Sequence, residues 1–324
     1  MELSEFLMSR KDYVSGQEIA DAMGISRNAV WKQIERLRRE GVQVEAVTGK
    51  GYKIKDLSMA FGAGSIGSLL DTKWLGRELL FYEEIDSTNE ELKRRAAKGA
   101  REGLMAVADI QNAGKGRRGR GWENPGGVNI AMSYLLRPDM NPDTAPMMTL
   151  IMAMAAGEGI EKVTGLKTMI KWPNDVVING KKVVGILTEM TAEPDYIHEV
   201  IIGTGINVNT ESFDGELKDK ATSLYIEGGV RYSRSGITAE VTNSFEKLYE
   251  GFLKTGDLSG LKDEYNSICV NTGCEVCVLD PAGSYEGVAC GIDDKGELIV
   301  KKEGGETVAV YAGEVSVRGI YGYV

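Results

Sequence analysis

Gln111-Asn112-Ala113-Gly114-Lys115-Gly116-Arg117-Arg118-Gly119-Arg120-Gly121-Trp122 sets four glycines among four cations in a chain of 324 residues. Glycine lets a backbone close around a small ligand, and arginine forks match the oxygens of phosphates and carboxylates. Four crowded cations repel one another, so the loop Gly114–Trp122 is expected to be mobile when empty and ordered by an anionic ligand. Met105–Asp109 before it and Val128–Leu136 after it are strand candidates, so the loop joins strand to strand. Gly114, Gly116 and Gly119 spell G-x-G-x-x-G, but a dinucleotide-binding loop opens a helix and is followed by an acidic residue about 20 positions on. Neither feature is present, nor is G-x-x-x-x-G-K-[ST]. The stretch reads as a phosphate cradle in some other fold, or else as a solvated basic surface loop.

Working outward, strand-like and helical runs alternate, which predicts an α/β region. Leu79–Tyr82 is a strand candidate, and Ser87-Thr88-Asn89-Glu90-Glu91 opens a helix reaching Lys98. Ala145–Val163 is a long apolar helix. Lys171-Trp172-Pro173-Asn174-Asp175 precedes a strand at Val176–Ile178, a turn at Asn179-Gly180 and a strand at Val183–Met190. Glu199–Asn209 is a further strand carrying Gly203-Thr204-Gly205-Ile206-Asn207. Pro173 pushes Trp172 toward extended geometry. A lysine, an amide and a carboxylate are thereby held together, suited to a metal–phosphate group or a nucleophile, or else to simple Pro-Asn-Asp turn chemistry.

The first residues form a different unit. Ser15-Gly16-Gln17-Glu18 is a capping-box pattern, Gly24-Ile25 a turn, and Ser26 a cap for a second helix whose apolar residues are Val30, Ile34 and Leu37. Gly41 ends that helix. Two short helices around a Gly-containing turn predict a helix-turn-helix. Arg27, Asn28, Lys32, Gln33 and Arg36 occupy the other faces of the second helix, where side chains reach base edges and phosphates. Val42–Val47 and Gly51–Ile54 form a hairpin that places Lys50 and Lys53 for backbone contact, completing a winged helix. Residues 1–55 hold ten Lys/Arg and eight Asp/Glu, net +2, while the whole chain carries −10, leaving −12 for the remainder. Nucleic-acid contact is therefore expected at the head alone. Lys55–Gly67 has the composition of a linker.

Short alternating segments, Glu275–Leu279, Ser284–Ile292, Glu297–Lys301, Thr307–Tyr311 and Glu314–Val317, predict a small β-barrel at the other end. Cys269, Cys274, Cys277 and Cys290 are too few for a disulfide framework. Cys274 and Cys277 would face opposite sides of a strand, so buried reduced thiols are expected rather than a zinc site. The longest apolar run, Pro146–Ala156, is too short to span a bilayer. With no secretory leader visible, the expected location is cytoplasmic and no membrane partner is anticipated. The single histidine, His198, gives little support to Ser-His-Asp or zinc–histidine chemistry and is expected on a strand surface.

Taken together, Ser87-Thr88-Asn89, Gly114–Trp122, Lys171–Asp175, Lys182 within Gly180–Leu187 and Gly203–Asn209 resemble the biotin–protein ligases, in the bifunctional type that also represses the biotin operon. The resemblance covers nearly the whole chain. It implies a multidomain α+β architecture: a winged helix-turn-helix over residues 1–63, a class II synthetase-like catalytic domain over 64–270 and an SH3-like barrel over 271–324. It implies biotin and ATP with Mg2+ as substrates, formation of biotinyl-5′-AMP, and transfer to a lysine of a biotin carboxyl carrier protein domain. It also implies operator DNA as partner and a homodimer promoted by biotinyl-AMP.

By the same resemblance, biotin is held by Ser87, Thr88, Asn89, Gln111, Gly114, Lys115 and Gly116. Arg117 lies at the carboxylate–phosphate junction, and Arg118, Arg120 and Lys171 bind the nucleotide. Trp122 covers the ligand, Lys182 contacts carboxylate and α-phosphate, and Asn207 lies near the adenine. Asn174 serves the Mg–ATP complex, no metal being tightly bound, and Asp175 positions the incoming lysine. Lys115 stands where many relatives carry arginine, which keeps the charge and loses the fork. Ser26, Arg27, Asn28, Lys32, Gln33, Arg36, Lys50 and Lys53 face DNA. A lipoate ligase would share the central fold and chemistry. A non-catalytic metabolite-sensing repressor would keep the head without needing Lys182.

Overall fold

A computed structural model describes residues 3–319 apart from 9, 11, 40, 41, 57, 58, 280–282 and 312–315. The head contains α1 (Leu3–Met8), α2 (Gly16–Met23), α3 (Arg27–Arg39), β1 (Gln43–Val47) and β2 (Gly51–Asp56). Ser15 Oγ accepts from Glu18 N at 3.1 Å and starts α2; Gly24, at φ 65°, ends it. Ser26 Oγ accepts from Ala29 N at 3.2 Å and caps α3. Ile19, Val30, Ile34 and Leu37 bury one stripe of each helix against Leu3, Phe6 and the hairpin residues Val44 and Ile54. The strands pair antiparallel around the turn 48–50, as the wing requires. The helix end assigned to Gly41 lies outside the described residues, as do residues 57 and 58 of the expected linker.

After α4 (Ala63–Gly67) come β3 (Leu79–Ile85), α5 (Thr88–Ala96), β4 (Met105–Lys115), β5 (Gly121–Asn124), β6 (Ile130–Leu136) and α6 (Ala145–Thr164). Then follow β7 (Met169–Lys171), β8 (Asp175–Ile178), β9 (Lys181–Glu193), β10 (Tyr196–Ile206), α7 (Leu224–Gly228), α8 (Arg234–Thr255) and α9 (Lys262–Ile268). Eight of these strands form one mixed sheet in the order β3-β4-β6-β10-β9-β8-β7, with β5 bonded to β4. Only β3 and β4 run parallel. The helix α6 is apolar nearly all round because it lies between this sheet and α8. At Gly159 the two helices are so close that a Cβ would stand 2.6 Å from Val241 N. The other face of the sheet is covered by α5, where Leu92 and Ala96 pack on Leu104, Ala106, Leu135 and Ile201.

The tail contains β11 (Glu275–Leu279), β12 (Tyr285–Ile292), β13 (Leu298–Lys301), β14 (Thr307–Val310) and β15 (Ser316–Gly319) in an antiparallel sheet of order β14-β13-β12-β11-β15. Its strands follow the expected segments within a few residues; positions 314 and 315 of the last one lie outside the described residues. The expectation of buried thiols fails for two cysteines. Cys269 is buried and Cys277 half-buried, but Cys274, in the bend before β11, and Cys290, at an outward position of β12, are exposed, since alternate positions of a strand with one covered face stay in water.

Side chains tie these parts together. Glu246 of α8, 5% exposed, accepts from the backbone N–H groups of Lys73 at 2.7 Å, Trp74 at 3.0 Å and Leu75 at 2.8 Å, fixing the loop into β3. Arg234 pairs with Asp109 of β4 at 2.5 Å and lies 4.0 Å above the Phe61 ring; Ser235 Oγ donates to Ala60 O at 2.6 Å. The segment after the head is thereby anchored to the catalytic sheet. Burial pushes the Arg234 guanidinium below its ordinary range, although Asp109 opposes that shift.

Glu246→Ala removes a carboxylate serving three backbone donors and leaves those donors buried. Urea unfolding followed by tryptophan fluorescence is expected to show a loss of about 3 kcal/mol; a loss below about 0.5 kcal/mol, typical of surface changes, would contradict this role.

Candidate active site

Glycines at the crossing of β9 and β10 make the floor of the site. Gly205 pairs with Gly185 and Gly203 with Leu187, so Gly185, Gly203 and Gly205 open onto the α5 face of the sheet. Each has a polar or aromatic neighbour where its Cβ would stand. A Cβ on Gly203 would lie 2.2 Å from Asn89 Oδ1, one on Gly205 2.7 Å from the Trp122 ring, and one on Gly185 2.8 Å from Lys182 Nζ. Glycine within a strand marks such close approach. Gly203 and Gly205 stood out in the sequence as part of a motif. Gly185 lay within the motif stretch Gly180–Leu187 without a role of its own, although its place inside Val183-Val184-Gly185-Ile186-Leu187 carried the same signal.

A hydrogen-bonded chain forms one wall. Ser87 caps α5, accepting from Glu90 N at 3.5 Å. Gln111 Oε1 accepts from Thr88 N at 2.9 Å and from Thr88 Oγ1 at 3.1 Å. The Ser133 hydroxyl lies 2.7 Å from Thr88 Oγ1 and donates to Asn89 Oδ1 at 2.6 Å, while Asn89 Nδ2 donates to Glu189 at 2.8 Å. Ser87, Thr88, Asn89 and Gln111 are thus brought together, buried and mutually oriented. Ser133 and Glu189, which complete the chain, carry no sequence signal because their partners are supplied by the sheet.

The loop departs from expectation in form. Gln111–Lys115 continues β4, and Gly114 pairs with Trp122 and Lys115 with Gly121, so the stretch is a β-hairpin turning at residues 117–119. Arg118 takes the left-handed conformation at the tip, φ 58°. Alternating glycines masked the strand, since they lack side chains to show its period. Gly114 admits no Cβ: one would stand 2.4 Å from Trp122 O and 2.5 Å from Gln111 Nε2. Lys115 pairs with Glu90 at 3.0 Å, and Arg118 and Arg120 are exposed.

Arg117 turns back from the tip and donates to Asn174 Oδ1 at 3.1 Å. Burial pulls its guanidinium below the ordinary range; Asp175 opposes that shift and Arg118 adds to it. Asn174 is held to β9 in turn, its Nδ2 donating to Ile186 O at 3.1 Å. Lys182 Nζ lies 2.5 Å from Asp175 Oδ1, above Gly185. Lys181 donates instead to Lys218 O at 3.1 Å. Asn207 Nδ2 donates to Thr222 O at 3.1 Å, at the end of β10 beyond the floor.

The segment Lys171–Asp175 divides between two tasks. Its Trp172–Pro173 bond is cis. Trp172, 1% exposed, donates through Nε1 to Gly296 O of the tail at 3.0 Å, and its backbone N–H donates to Asn271 Oδ1 at 2.9 Å. Lys171 is 6% exposed. Trp172 therefore holds the tail while Asn174 and Asp175 serve the site. A cleft of about 190 Å3 opens on the α6 side of Arg117 and Asn174, lined also by Thr149, Thr188 and Tyr311. Asn89, Trp122 and Lys182 stand against the glycine floor, on the opposite face, with Arg117 and Asn174 at the edge between the two, whereas Lys171, Arg118, Arg120 and Asn207 are not among the side chains nearest the three glycines.

In the head, Arg27, Asn28, Lys32 and Lys50 are exposed and Gln33 is half-buried. Ser26 is occupied in capping α3. Arg36 Nε lies 3.6 Å from Glu83 of β3, and Lys53 Nζ 5.9 Å from the Tyr13 ring centre. His198 faces Glu193 at 3.1 Å on the outer end of β10. Among the described residues no helix is long and apolar enough to cross a membrane.

This arrangement of sheet, cationic hairpin and paired lysine is that of a ligase: the Biotin/lipoate A/B protein ligase family matches residues 81–207. An HTH domain matches residues 2–53 and the Biotin protein ligase C terminal domain residues 273–318. Among curated relatives, the bifunctional ligase/repressor BirA of Bacillus spizizenii is 42% identical over 302 residues, 93% of each chain. That of Escherichia coli is 29% identical over 314 residues, 96% of this chain and 95% of its own. A biotin protein ligase from Aquifex aeolicus, solved in complex with biotin and ATP, superposes with a TM-score of 0.67 at 30% identity, covering 75% of this chain and 99% of that one. The chain belongs to the biotin protein ligase family, in its bifunctional ligase/repressor branch.

Proposed function

We propose that this chain activates biotin with ATP over the glycine floor and transfers it to a lysine of a biotin carboxyl carrier protein domain. The observation that carries this reading is the convergence of Lys182 and the half-buried Arg117 guanidinium on one trough, each held by a neighbour in the Asn174–Asp175 pair. In the first step a carboxylate oxygen of biotin attacks the α-phosphorus of ATP, the bond to pyrophosphate breaks, and biotinyl-5′-AMP forms. In the second, the carrier lysine's amine attacks the anhydride carbonyl, AMP departs, the amide remains and the amine loses a proton. Negative charge grows on phosphate and carbonyl oxygens in both steps, so fixed cations are the main requirement.

Ser87, Thr88, Asn89, Gln111 and the backbone of Gly114–Gly116, with Lys115 beside them, hold biotin. Arg117 bridges carboxylate and phosphate. Lys182 releases Asp175 to contact the reacting carboxylate, which frees Asp175 to orient the incoming amine. Arg118, Arg120 and Lys171 serve the phosphates, Trp122 closes over the adenylate and Asn207 lies toward the adenine. Magnesium, when present, supplies charge neutralisation on the ATP phosphates; it is commonly held by phosphates with one or two protein oxygens, and Asn174 Oδ1 and Asp175 are the oxygens of suitable chemistry here. The head, residues 1–63, represses transcription by binding operator DNA; the ligase core is taken as 64–270 and the tail as 271–324.

A homodimer promoted by biotinyl-AMP couples ligand to DNA affinity. In support, β8 pairs with β9 as far as Gly185, Asn174 bonds Ile186 next to it, and among the described residues β9 from Leu187 onward pairs as a strand on one side alone, with β10. Such an edge is suited to sheet extension.

Transfer of labelled biotin to a carrier domain is expected for the wild type, with lipoate inert in a parallel reaction. Lys182→Ala should lower the rate about 10²- to 10³-fold; equal rates would overturn the assignment of Lys182, and preference for lipoate the choice of acid. Sedimentation equilibrium should show tighter self-association with biotinyl-AMP than without it; one association constant for both states would contradict the coupling.

A further inference from the structure

Trp31 is 57% exposed on α3, at a position that neither buries it nor pairs it with the core. A single exposed apolar side chain is ordinary on a protein surface; its surroundings distinguish this one. The buried stripe of α3 is Val30, Ile34 and Leu37. At 100° per residue Trp31 stands well round from that stripe, three and four positions after Asn28 and Arg27, and so beside both on the helix surface. Arg27, Asn28 and Lys32 are exposed with it. The indole therefore lies within the polar and basic face that the second helix of a helix-turn-helix presents, near the N-terminal turns that reach base edges.

We propose that Trp31 is a specificity-determining residue of the DNA interface, reading a base step through apolar contact with a thymine methyl in the major groove. The inference rests on the repressor function given above and adds to it a residue that charge alone does not find. Arg27, Lys32 and Arg36 supply charge attraction to phosphates of any sequence, whereas the neutral indole, with a single N–H donor, adds no charge to it. Its contribution appears only where a methyl-bearing base edge meets it. Charge complementarity selects the occupant. The head carries +2 while the rest of the chain carries −12, so the exposed Arg27 and Lys32 beside Trp31 make this face complementary to a polyanion.

The test uses the full chain with biotin and ATP. The wild type selects duplexes from a random-sequence library; affinities for a selected and a scrambled duplex are then measured across a salt series for wild type, Trp31→Ala, Trp31→Phe and Lys32→Ala. Trp31→Ala should weaken binding to the selected duplex roughly 10- to 100-fold. Its affinity for the scrambled duplex, and its slope of log K against log salt, should stay at wild-type values, which also shows that the head remains folded. Preference for thymine at one position should relax, and Trp31→Phe should restore part of it. Lys32→Ala should weaken both duplexes and reduce the slope by about one. Wild-type affinity of Trp31→Ala for the selected duplex would overturn the proposal and leave DNA binding by the head intact, as would equal losses on both duplexes. A wild type that enriches no sequence would overturn the repressor reading, and this proposal with it. Weakened self-association of Trp31→Ala without DNA, with wild-type binding to the selected duplex, would assign the indole to a second copy instead.

Discussion

The absence of three side chains governs the site. Gly185, Gly203 and Gly205 lie on adjacent strands, and the spaces their Cβ atoms would fill are taken by Lys182, Asn89 and Trp122. Those neighbours come from a bulged strand, a helix start and a hairpin, elements that share no local interaction. Only the sheet brings them into one trough. Because β-strand side chains alternate, Ile186, Ile202 and Ile206 on the opposite face are committed to the core under α6. One register thus sets both the buried packing and the open bed for a ligand. A slip of a single residue would place isoleucine where the ligand must lie.

Two buried side chains connect this bed to the rest of the chain. Trp172 binds the tail through Gly296 and Asn271 while the next residues, Asn174 and Asp175, reach the cations of the site. Arg234 grips Asp109, two residues before Gln111, and also covers Phe61, which follows the wing strand β2. Phe61, β4 and the start of α8 therefore meet at one ion pair. These contacts join the residues that follow the head to the strand that carries Gln111.

Much of this was legible from residues alone. The head followed from Ser15, Gly24, Ser26 and the spacing of Val30, Ile34 and Leu37, all local signals of cap and turn. The cations of the loop and the Lys171–Asp175 segment pointed to an anionic substrate, and the resemblance supplied biotin. What escaped depends on partners distant in sequence. The strand character of Gln111–Lys115 needs β5 beside it, the burial of Trp172 needs the tail, and the roles of Ser133 and Glu189 need Asn89. The exposed Cys274 and Cys290 misled because cysteine's usual preference for burial was overridden, at Cys274 by a bend outside the sheet and at Cys290 by an outward position on a strand with one covered face.

The most direct test of this account is biotin-dependent exchange of labelled pyrophosphate into ATP by Gly203→Ala. The added methyl would displace Asn89 and, with it, the orientation of Thr88 and Gln111. Misplacement of this size costs one to two orders of magnitude in rate, so exchange is expected to fall at least about tenfold in a protein that still melts cooperatively. Wild-type exchange by a folded Gly203→Ala chain would contradict the account.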